Sequence, residues 1–269
     1  CSGTYKNNYQ LCCGIKDKNR LKDVSIRWYQ SGTYPLQSLN YTYNELISAE
    51  KDALIFTDAN WTLFASYLLQ YGKGLFNDKK VIFSALMLTP FSMNELTEEL
   101  GIPEFKDADP EFYKSKTPTM TFANEMKKRI EHIAKYTKRP IYISVSTNEA
   151  VKNLLKDHLY GEGLLMRYSS KPYDNLAVMR RNFENTYLLD YLYETFYPET
   201  LTDVCLDLKG VKMLSIYYVP AFKSLLQFYK ESGDVTHYDK LYSLLESIVK
   251  RADYYSDEVR ERYLKSINF

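Results

Sequence analysis

The stretch Asp52–Thr89 constrains the fold of this chain more than any other part of the sequence. An apolar run over Ala53–Thr57 ends in Asp58-Ala59-Asn60, and Trp61–Tyr71 then carries apolar residues at helical spacing. A second apolar run follows over Lys80–Leu88. A strand, a helix and a strand joined by a crossover of this length form the βαβ unit of a parallel sheet. We therefore expect the residues after the first strand to face the crevice in which open α/β sheets usually bind ligands.

Further strands and helices are predicted on either side of this unit. Helical periodicity, apolar runs and turn residues indicate helices and strands in alternation, over Ser38–Ala49 (helix), Thr121–Tyr136 (helix), Ile141–Val145 (strand), Glu149–Tyr160 (helix) and Leu164–Tyr168 (strand). Alternation of this kind is typical of a layered α/β domain. We predict such a domain over residues 20–170, with three layers and a mostly parallel four-stranded sheet flanked by helices.

The chain changes character at both ends of the predicted α/β domain. Residues 1–19 are polar and are interpreted as a tether or arm. Ser170–Asp174 has the composition of a linker, and residues 171–269 carry mainly helical patterns. Leu225–Tyr229 and Tyr238–Ile248 predict a helical hairpin similar to one tetratricopeptide-type pair, which is too short for a solenoid. We therefore expect a C-terminal helical cap that docks on the α/β domain.

Charge and composition exclude some classes of partner. The chain carries 35 basic and 34 acidic residues, and this balance gives no basis for nucleic-acid binding. No apolar run approaches the ~20 residues that a membrane-spanning helix needs. The sequence contains 26 tyrosines and 13 phenylalanines. These aromatic residues either pack in the core or form a surface for glycans or partner proteins.

The cysteines suggest an envelope location. The first residue is Cys1, followed by a polar stretch, as in a mature bacterial lipoprotein whose lipids are attached to that cysteine. The alternative is a chain boundary that happens to fall on a cysteine. Cys12 or Cys13 could form a disulfide with Cys205, or all three could be free thiols.

Motifs for cofactor and metal binding are absent from the sequence. Neither GxGxxG nor GxxxxGK[ST] follows a strand, so a nucleotide site of the usual kinds is disfavoured. His132, His158 and His237 fall in separate helical stretches without a carboxylate at ligand spacing. We therefore expect no cofactor, no metal and no nucleophile–base pair.

The candidate ligand-binding residues are Asp58, Asn60, Trp61 and Arg167. Asp58 and Asn60 follow the first strand and are suited to hydrogen bonding a sugar or peptide, with Trp61 as a stacking face. The alternative is that Asp58 or Asn60 caps the following helix by accepting its backbone N–H groups. Arg167 lies in the fourth predicted strand, where it could bind an anionic group or pair with a nearby acid.

The order of segments resembles one known family. Five segments carry the resemblance: NYTYNEL at 40–46, DALIFTD at 52–58, KVIFSALML at 80–88, KRPIYISV at 138–145 and LYGEGLLMRY at 159–168. Over about 41–182 they resemble the soluble C-terminal region of a Bacteroidetes membrane-protein family of unknown function with a protein O-mannosyltransferase-like transmembrane half. The resemblance implies a stand-alone soluble relative on the outer side of the inner membrane. It does not extend transferase activity to this chain, because the family's presumed catalytic machinery belongs to the membrane-spanning half.

These observations together predict a non-catalytic lipoprotein of the cell envelope that acts as a binding or scaffolding module in a larger membrane-associated assembly. We expect protein partners, membrane attachment through lipid on Cys1, and a location at the outer membrane, on its periplasmic side or at the surface. The alternative is a glycan- or glycoprotein-processing enzyme, or an accessory subunit of one, with its site at the tip of the first strand.

Overall fold

The structure is a computed structural model, and it describes residues 17–106, 118–193 and 214–251, together with residues 258, 261 and 265. The four cysteines lie outside the described residues. The lipid on Cys1 and the disulfide that could join Cys12 or Cys13 to Cys205 therefore stay predictions. So does the tether, except at its end, where Asp17 caps a helix that begins at Lys18.

A mixed five-stranded sheet lies at the centre of the described chain. Its strands, in the spatial order β2-β1-β3-β5-β4, are β1 Leu54–Thr57, β2 Lys80–Phe83, β3 Ile141–Ser144, β4 Leu159–Gly161 and β5 Leu165–Tyr168. Strand β1 pairs in parallel with both β2 and β3. Strand β5 pairs antiparallel with β3 and β4. The predicted parallel βαβ unit is confirmed.

The prediction of a mostly parallel four-stranded sheet is wrong. The helix predicted over Glu149–Tyr160 ends at Leu155, and a single 3₁₀ turn leads into β4. Gly163, at φ 125°, then lets the chain reverse, so β4 and β5 form an antiparallel hairpin. A three-residue strand is too short to show a strand period in the sequence, and β4 was therefore missed.

Ten α-helices surround the sheet in the described ranges, and they make the protein mostly helical. They are α1 Lys18–Gln30, α2 Leu36–Ser48, α3 Asn60–Tyr67, α4 Ser84–Met87, α5 Pro90–Leu100, α6 Pro118–Tyr136, α7 Glu149–Leu155, α8 Asn175–Arg181, α9 Val219–Ser232 and α10 Val235–Lys250. Helix α3 continues as a π-helical turn to Gly72, and α8 continues in the same way to Thr186. Among the described residues, no helix combines the length and apolar character that crossing a membrane requires.

Alternate residues of the strands pack into different hydrophobic clusters. Phe56 and Ile143 belong to a cluster with Ile130 of α6. Ile55, next to Phe56 in β1, belongs to another cluster with Leu46 of α2. Side chains of a strand point alternately to opposite faces, so these two clusters cover both faces of the sheet.

The C-terminal helices share a core with the α/β part. Helices α9 and α10 form the predicted hairpin, with Gly233 in the left-handed region between them. Their cluster includes Tyr41 of α2 and the buried Tyr218 and Tyr187. These tyrosines support the interpretation that the tyrosine-rich composition builds the core. Tyr41 of α2 contacts the rings of Tyr217 and Tyr218, which lie in the 3₁₀ turn that precedes α9.

Candidate functional site

The strand order places a topological switch point between β1 and β3. The chain crosses from β1 to β2 on one side, and it returns to β3 on the other side of β1. The carboxyl ends of two such strands border the crevice in which α/β proteins commonly bind ligands. Here Asp58-Ala59-Asn60 follows β1, and Val145–Asn148 follows β3.

Asp58 connects the two strand ends. Its Oδ2 accepts a hydrogen bond of 2.7 Å from the backbone N–H of Asn148, while its Oδ1 is buried without a hydrogen-bond partner in the described structure. Helix α3 begins after Ala59 without a side-chain cap. The capping interpretation is therefore wrong for Asp58. Asn60 is the first residue of α3 and is exposed, and it does not cap the helix either.

A chain of hydroxyl groups runs from the end of β1 to helix α2. The hydroxyls of Thr57 and Ser146 lie 3.3 Å apart, and those of Ser146 and Ser144 lie 2.8 Å apart. The Ser144 hydroxyl donates a hydrogen bond of 2.5 Å to Oε1 of Glu45 in α2. Hydroxyl groups both donate and accept hydrogen bonds, so this chain can reorganise around a polar ligand.

Glu45 is a carboxyl group with no exposed surface at the inner end of this chain. Burial raises its pKa to about 8, although the hydroxyls of Ser144, Thr62 and Tyr41 act to lower that pKa. Glu45 therefore holds a proton at neutral pH. Its Oε2, the Thr62 hydroxyl and the Tyr41 hydroxyl are buried close together, and none of the three makes a hydrogen bond of standard geometry with another described group, although both hydroxyls are near enough to the carboxyl to lower its pKa.

Trp61 lies at the start of α3, beside Asp58. Its ring is partly buried against the cluster of the C-terminal helices, and its backbone oxygen accepts a hydrogen bond of 2.8 Å from the Tyr34 hydroxyl. The indole Nε1 is buried and has no hydrogen-bond partner among the described groups. Trp61 therefore offers an indole donor rather than a fully open stacking face.

Arg167 lies apart from these residues. It stands in β5 opposite Tyr142 of β3, two residues before Ser144 in the register, and it forms an ion pair with Glu50. The structure therefore brings Asp58, Asn60 and Trp61 together and places Arg167 in a separate cavity, with the acidic partner that the sequence suggested as an alternative.

The three histidines do not converge. His132 Nε2 lies 2.7 Å from the carbonyl oxygen of Pro103, and His237 Nδ1 lies 2.7 Å from Oδ2 of Asp234. The ring of His158 packs against that of Tyr168. Within the ranges that the structure describes, no group of three or more His, Cys, Asp or Glu could hold a metal ion.

Sequence reasoning missed the polar stripe of α2. Ser38, Tyr41, Thr42 and Glu45 are all buried and recur at helical spacing. Of the apolar residues of the same helix, Leu39, Tyr43, Leu46 and Ile47, only Leu46 is fully buried. The helical spacing of these polar residues, with the Glu45 carboxyl among them, could have indicated the site, as could the Ser-x-Ser pair at the end of β3.

Comparison with known proteins adds no constraint to this geometry. No protein-family model, curated protein or solved structure matches the chain. The function must therefore be inferred from the residues at the switch point and in the Arg167 cavity.

Proposed function

We propose that this chain is a non-catalytic binding module of the bacterial cell envelope, and that its ligand site lies at the carboxyl ends of β1 and β3. One observation carries the proposal: Glu45 Oε2, Tyr41 Oη, Thr62 Oγ1 and Asp58 Oδ1 are buried at this end of the sheet and lack hydrogen-bond partners among the described groups. Buried polar atoms in native proteins are nearly always hydrogen bonded. Several such atoms at one switch point support a site that receives a polar ligand.

The chemistry of these groups favours a polyhydroxylated ligand such as a sugar. Hydroxyls of Thr57, Ser144 and Ser146 can donate or accept, and protonated Glu45 can do both as well. The indole of Trp61 supplies a donor. Mixed donors and acceptors beside aromatic rings suit a ring with several hydroxyl groups.

A hydroxyl-to-methyl substitution tests the site. Thr62→Val removes the unpartnered hydroxyl and keeps the shape of the side chain, so we expect unchanged or slightly raised stability and a loss of sugar binding. Thr97→Val is the matched control, because Thr97 is also buried but lies in α5 with its hydroxyl bonded to the carbonyl of Asn94. Binding of a panel of mono- and disaccharides would be measured by saturation-transfer NMR. A wild-type protein that binds none of them, or a Thr62→Val variant that binds as well as wild type, would contradict the proposal.

We also propose where the protein is located and what it associates with. The chain carries a lipid on Cys1, is located at the outer membrane and has protein partners in a membrane-associated assembly. It is related to the soluble region of the Bacteroidetes family, and its sheet and helices form three layers. Packing of Ile130 and Leu46 against alternate strand residues supports the last of these. Intact mass of native protein tests the anchor, because diacylglyceryl and acyl groups add to the sequence mass. An unmodified Cys1 thiol would overturn it.

Glu45 favours a second candidate function, which is glycan or glycoprotein processing at the same site. Glycoside hydrolysis uses two carboxyl groups, one of which is protonated. Glu45 is a protonated carboxyl at the switch point that Asp58 also borders. Glu45→Gln separates the two candidates, since an enzyme would lose turnover of a glycan substrate, whereas a binding module would have no turnover to lose.

A further inference from the structure

A second cavity, of about 370 Å³, lies around Arg167. Its lining includes Tyr142 of β3 and Arg167 of β5, together with Glu162, Tyr173, Lys171 and Arg181. Pockets for small molecules begin at about 300 Å³. The cavity is therefore large enough for one molecule of monosaccharide size. It is distinct from the site proposed above, so this inference does not rest on that function.

The interior of the cavity is organised by Glu162. Its carboxyl is buried, with a relative exposure of 3% for the residue, and Oε1 accepts a hydrogen bond of 2.5 Å from the Tyr173 hydroxyl. The backbone oxygen of Glu162 accepts a hydrogen bond of 2.8 Å from Asn182. Burial raises the pKa of Glu162, while Tyr173, Arg181 and Tyr142 act to lower that pKa. The carboxyl is thus fixed in place with hydroxyl groups beside it.

Arg167 is held at the wall of the cavity by its neighbours. Its guanidinium pairs with Glu50, and its Cζ lies 5.8 Å and 6.0 Å from the ring centroids of Tyr142 and Tyr173. The ion pair with Glu50 balances its charge. Arg167 therefore positions the two aromatic rings and contributes little net positive charge.

Two further cations at the cavity have no direct ion pair with a described residue. Lys171 and Arg181 are exposed, and neither side chain forms a hydrogen bond or an ion pair with another described residue. Glu162 is the one carboxyl of the cavity lining that is not already paired with Arg167, and it is buried. The mouth of the cavity therefore carries two solvent-exposed positive charges, while Tyr142 and Glu162 of its lining are buried.

We infer that this cavity binds a small ligand of monosaccharide size that carries one anionic group, either a carboxylate or a phosphate. Lys171 and Arg181 bind the anionic group at the mouth, as charge-assisted hydrogen-bond donors. The ring of Tyr173, which is partly exposed, contacts the body of the ligand. Glu162 and the tyrosine hydroxyls bond its hydroxyl groups.

Isothermal titration calorimetry with three probes tests the inference. Glucuronate carries a carboxylate, glucose 6-phosphate carries a phosphate, and glucose carries no charge. We expect one of the two anions to bind and glucose not to bind, and the anion that binds identifies the charged group. Inorganic phosphate alone is expected to bind more weakly than a sugar phosphate, because it leaves the ring of Tyr173 without a contact.

Paired variants locate the binding. Lys171→Gln with Arg181→Gln removes both unpaired charges, and we expect at least a tenfold loss of affinity, since a charged hydrogen bond is worth more than a neutral one. Lys156→Gln is the control, as an exposed lysine that does not line this cavity. Equal binding of glucose and the anions, no binding of either anion at millimolar concentration, or an unchanged affinity in the double variant would each overturn the inference. Because the residues of the switch point are untouched, loss of sugar binding in Thr62→Val would not affect this result.

Discussion

The Ser144 hydroxyl donates a hydrogen bond of 2.5 Å to Oε1 of Glu45, which lies 99 residues earlier in the chain. This bond joins the carboxyl end of β3 to α2 inside the protein. The Glu45 carboxyl has no exposed surface, so its charged form would cost much free energy at this position. Ionisation of Glu45 is therefore expected to affect the hydrogen bonding of Ser144 at the switch point.

The stability of the protein should depend on pH through Glu45. Its pKa is about 8 in the folded protein, against 4.5 for a glutamate side chain in water, so the folded state binds the proton more tightly. The stabilisation from this proton is complete below pH 4.5, and it is lost as the pH rises towards 8. Each unit of the shift corresponds to about 1.4 kcal/mol, which puts the full effect on the order of 5 kcal/mol. Urea unfolding at a series of pH values from about 5 to about 8 measures the slope.

Glu45→Gln is the control for this pH dependence. Glutamine stays neutral over the whole range, so the free energy of unfolding of the variant relative to wild type should rise from about pH 5 to about pH 8. The difference between the two proteins removes the contribution of all other titrating groups. Parallel pH profiles for wild type and Glu45→Gln would show that Glu45 is not protonated in the folded state.

The bond between Asp58 and Asn148 should stabilise the protein without involving helix α3. Asp58→Ala leaves the partly buried N–H of Asn148 without its acceptor, and we expect a loss of about 1–3 kcal/mol. Asn60→Ala is the matched control, because Asn60 is exposed and caps nothing, and its effect should stay within about 0.5 kcal/mol. Hydrogen exchange of the Asn148 amide gives a local readout. Unchanged protection of that amide in Asp58→Ala would refute the role.

The sequence predicted the parts of the fold that depend on local pattern. The β1–α3–β2 unit and the α9–α10 hairpin have long periodic segments, so their existence followed from the spacing of apolar residues. Strand β4 was missed because three residues carry no measurable period. Without β4, nothing in the sequence indicated that β5 runs antiparallel to β3.

Only part of the candidate site could be predicted, because some of its residues meet through tertiary contacts. Asp58 and Trp61 follow a strand directly, so their position near the sheet edge was visible in the sequence. Glu45 and Ser144 meet only because α2 packs across the end of β3, which is a tertiary contact. Arg167 was grouped with Asp58 because both adjoin strands, but the antiparallel direction of β5 places it elsewhere.

The hairpin turn at Gly163 should tolerate no side chain. A Cβ at this position would lie 2.5 Å from the hydroxyl oxygen of Tyr187 and 3.2 Å from the ring of Phe183, and φ is 125°. Tyr187 also accepts a hydrogen bond of 3.2 Å from the N–H of Leu164, so it cannot move without losing that bond. We expect Gly163→Ala to cost more than about 2 kcal/mol in unfolding free energy, from backbone strain and steric overlap together.

Gly74→Ala provides the comparison for Gly163. Gly74 also has a positive φ, of 73°, but a Cβ there would meet nothing within 4 Å. Its cost should be limited to backbone strain, about 1 kcal/mol. Thermal unfolding of the two variants side by side would separate strain from overlap, and equal melting temperatures would contradict the close packing of Tyr187 on Gly163.

Breaking the buried ion pair of Arg129 and Glu125 in α6 should strongly reduce the stability of the protein. Both side chains are almost fully buried, at 1% and 2% exposure, and Arg129 also donates a hydrogen bond of 3.0 Å to the carbonyl oxygen of Met87. Arg129→Met leaves Glu125 buried with Lys128 as its remaining partner, and we expect a loss of about 3–5 kcal/mol. Replacing both residues, as Arg129→Met with Glu125→Leu, should recover much of that loss, because no uncompensated charge stays buried.

Lys127→Met is the control, because it breaks the partly exposed pair with Glu131 on the same helix and should cost less than about 1 kcal/mol. Urea unfolding of the wild type and the three variants would contradict this role for the pair if Arg129→Met proved no more destabilising than Lys127→Met.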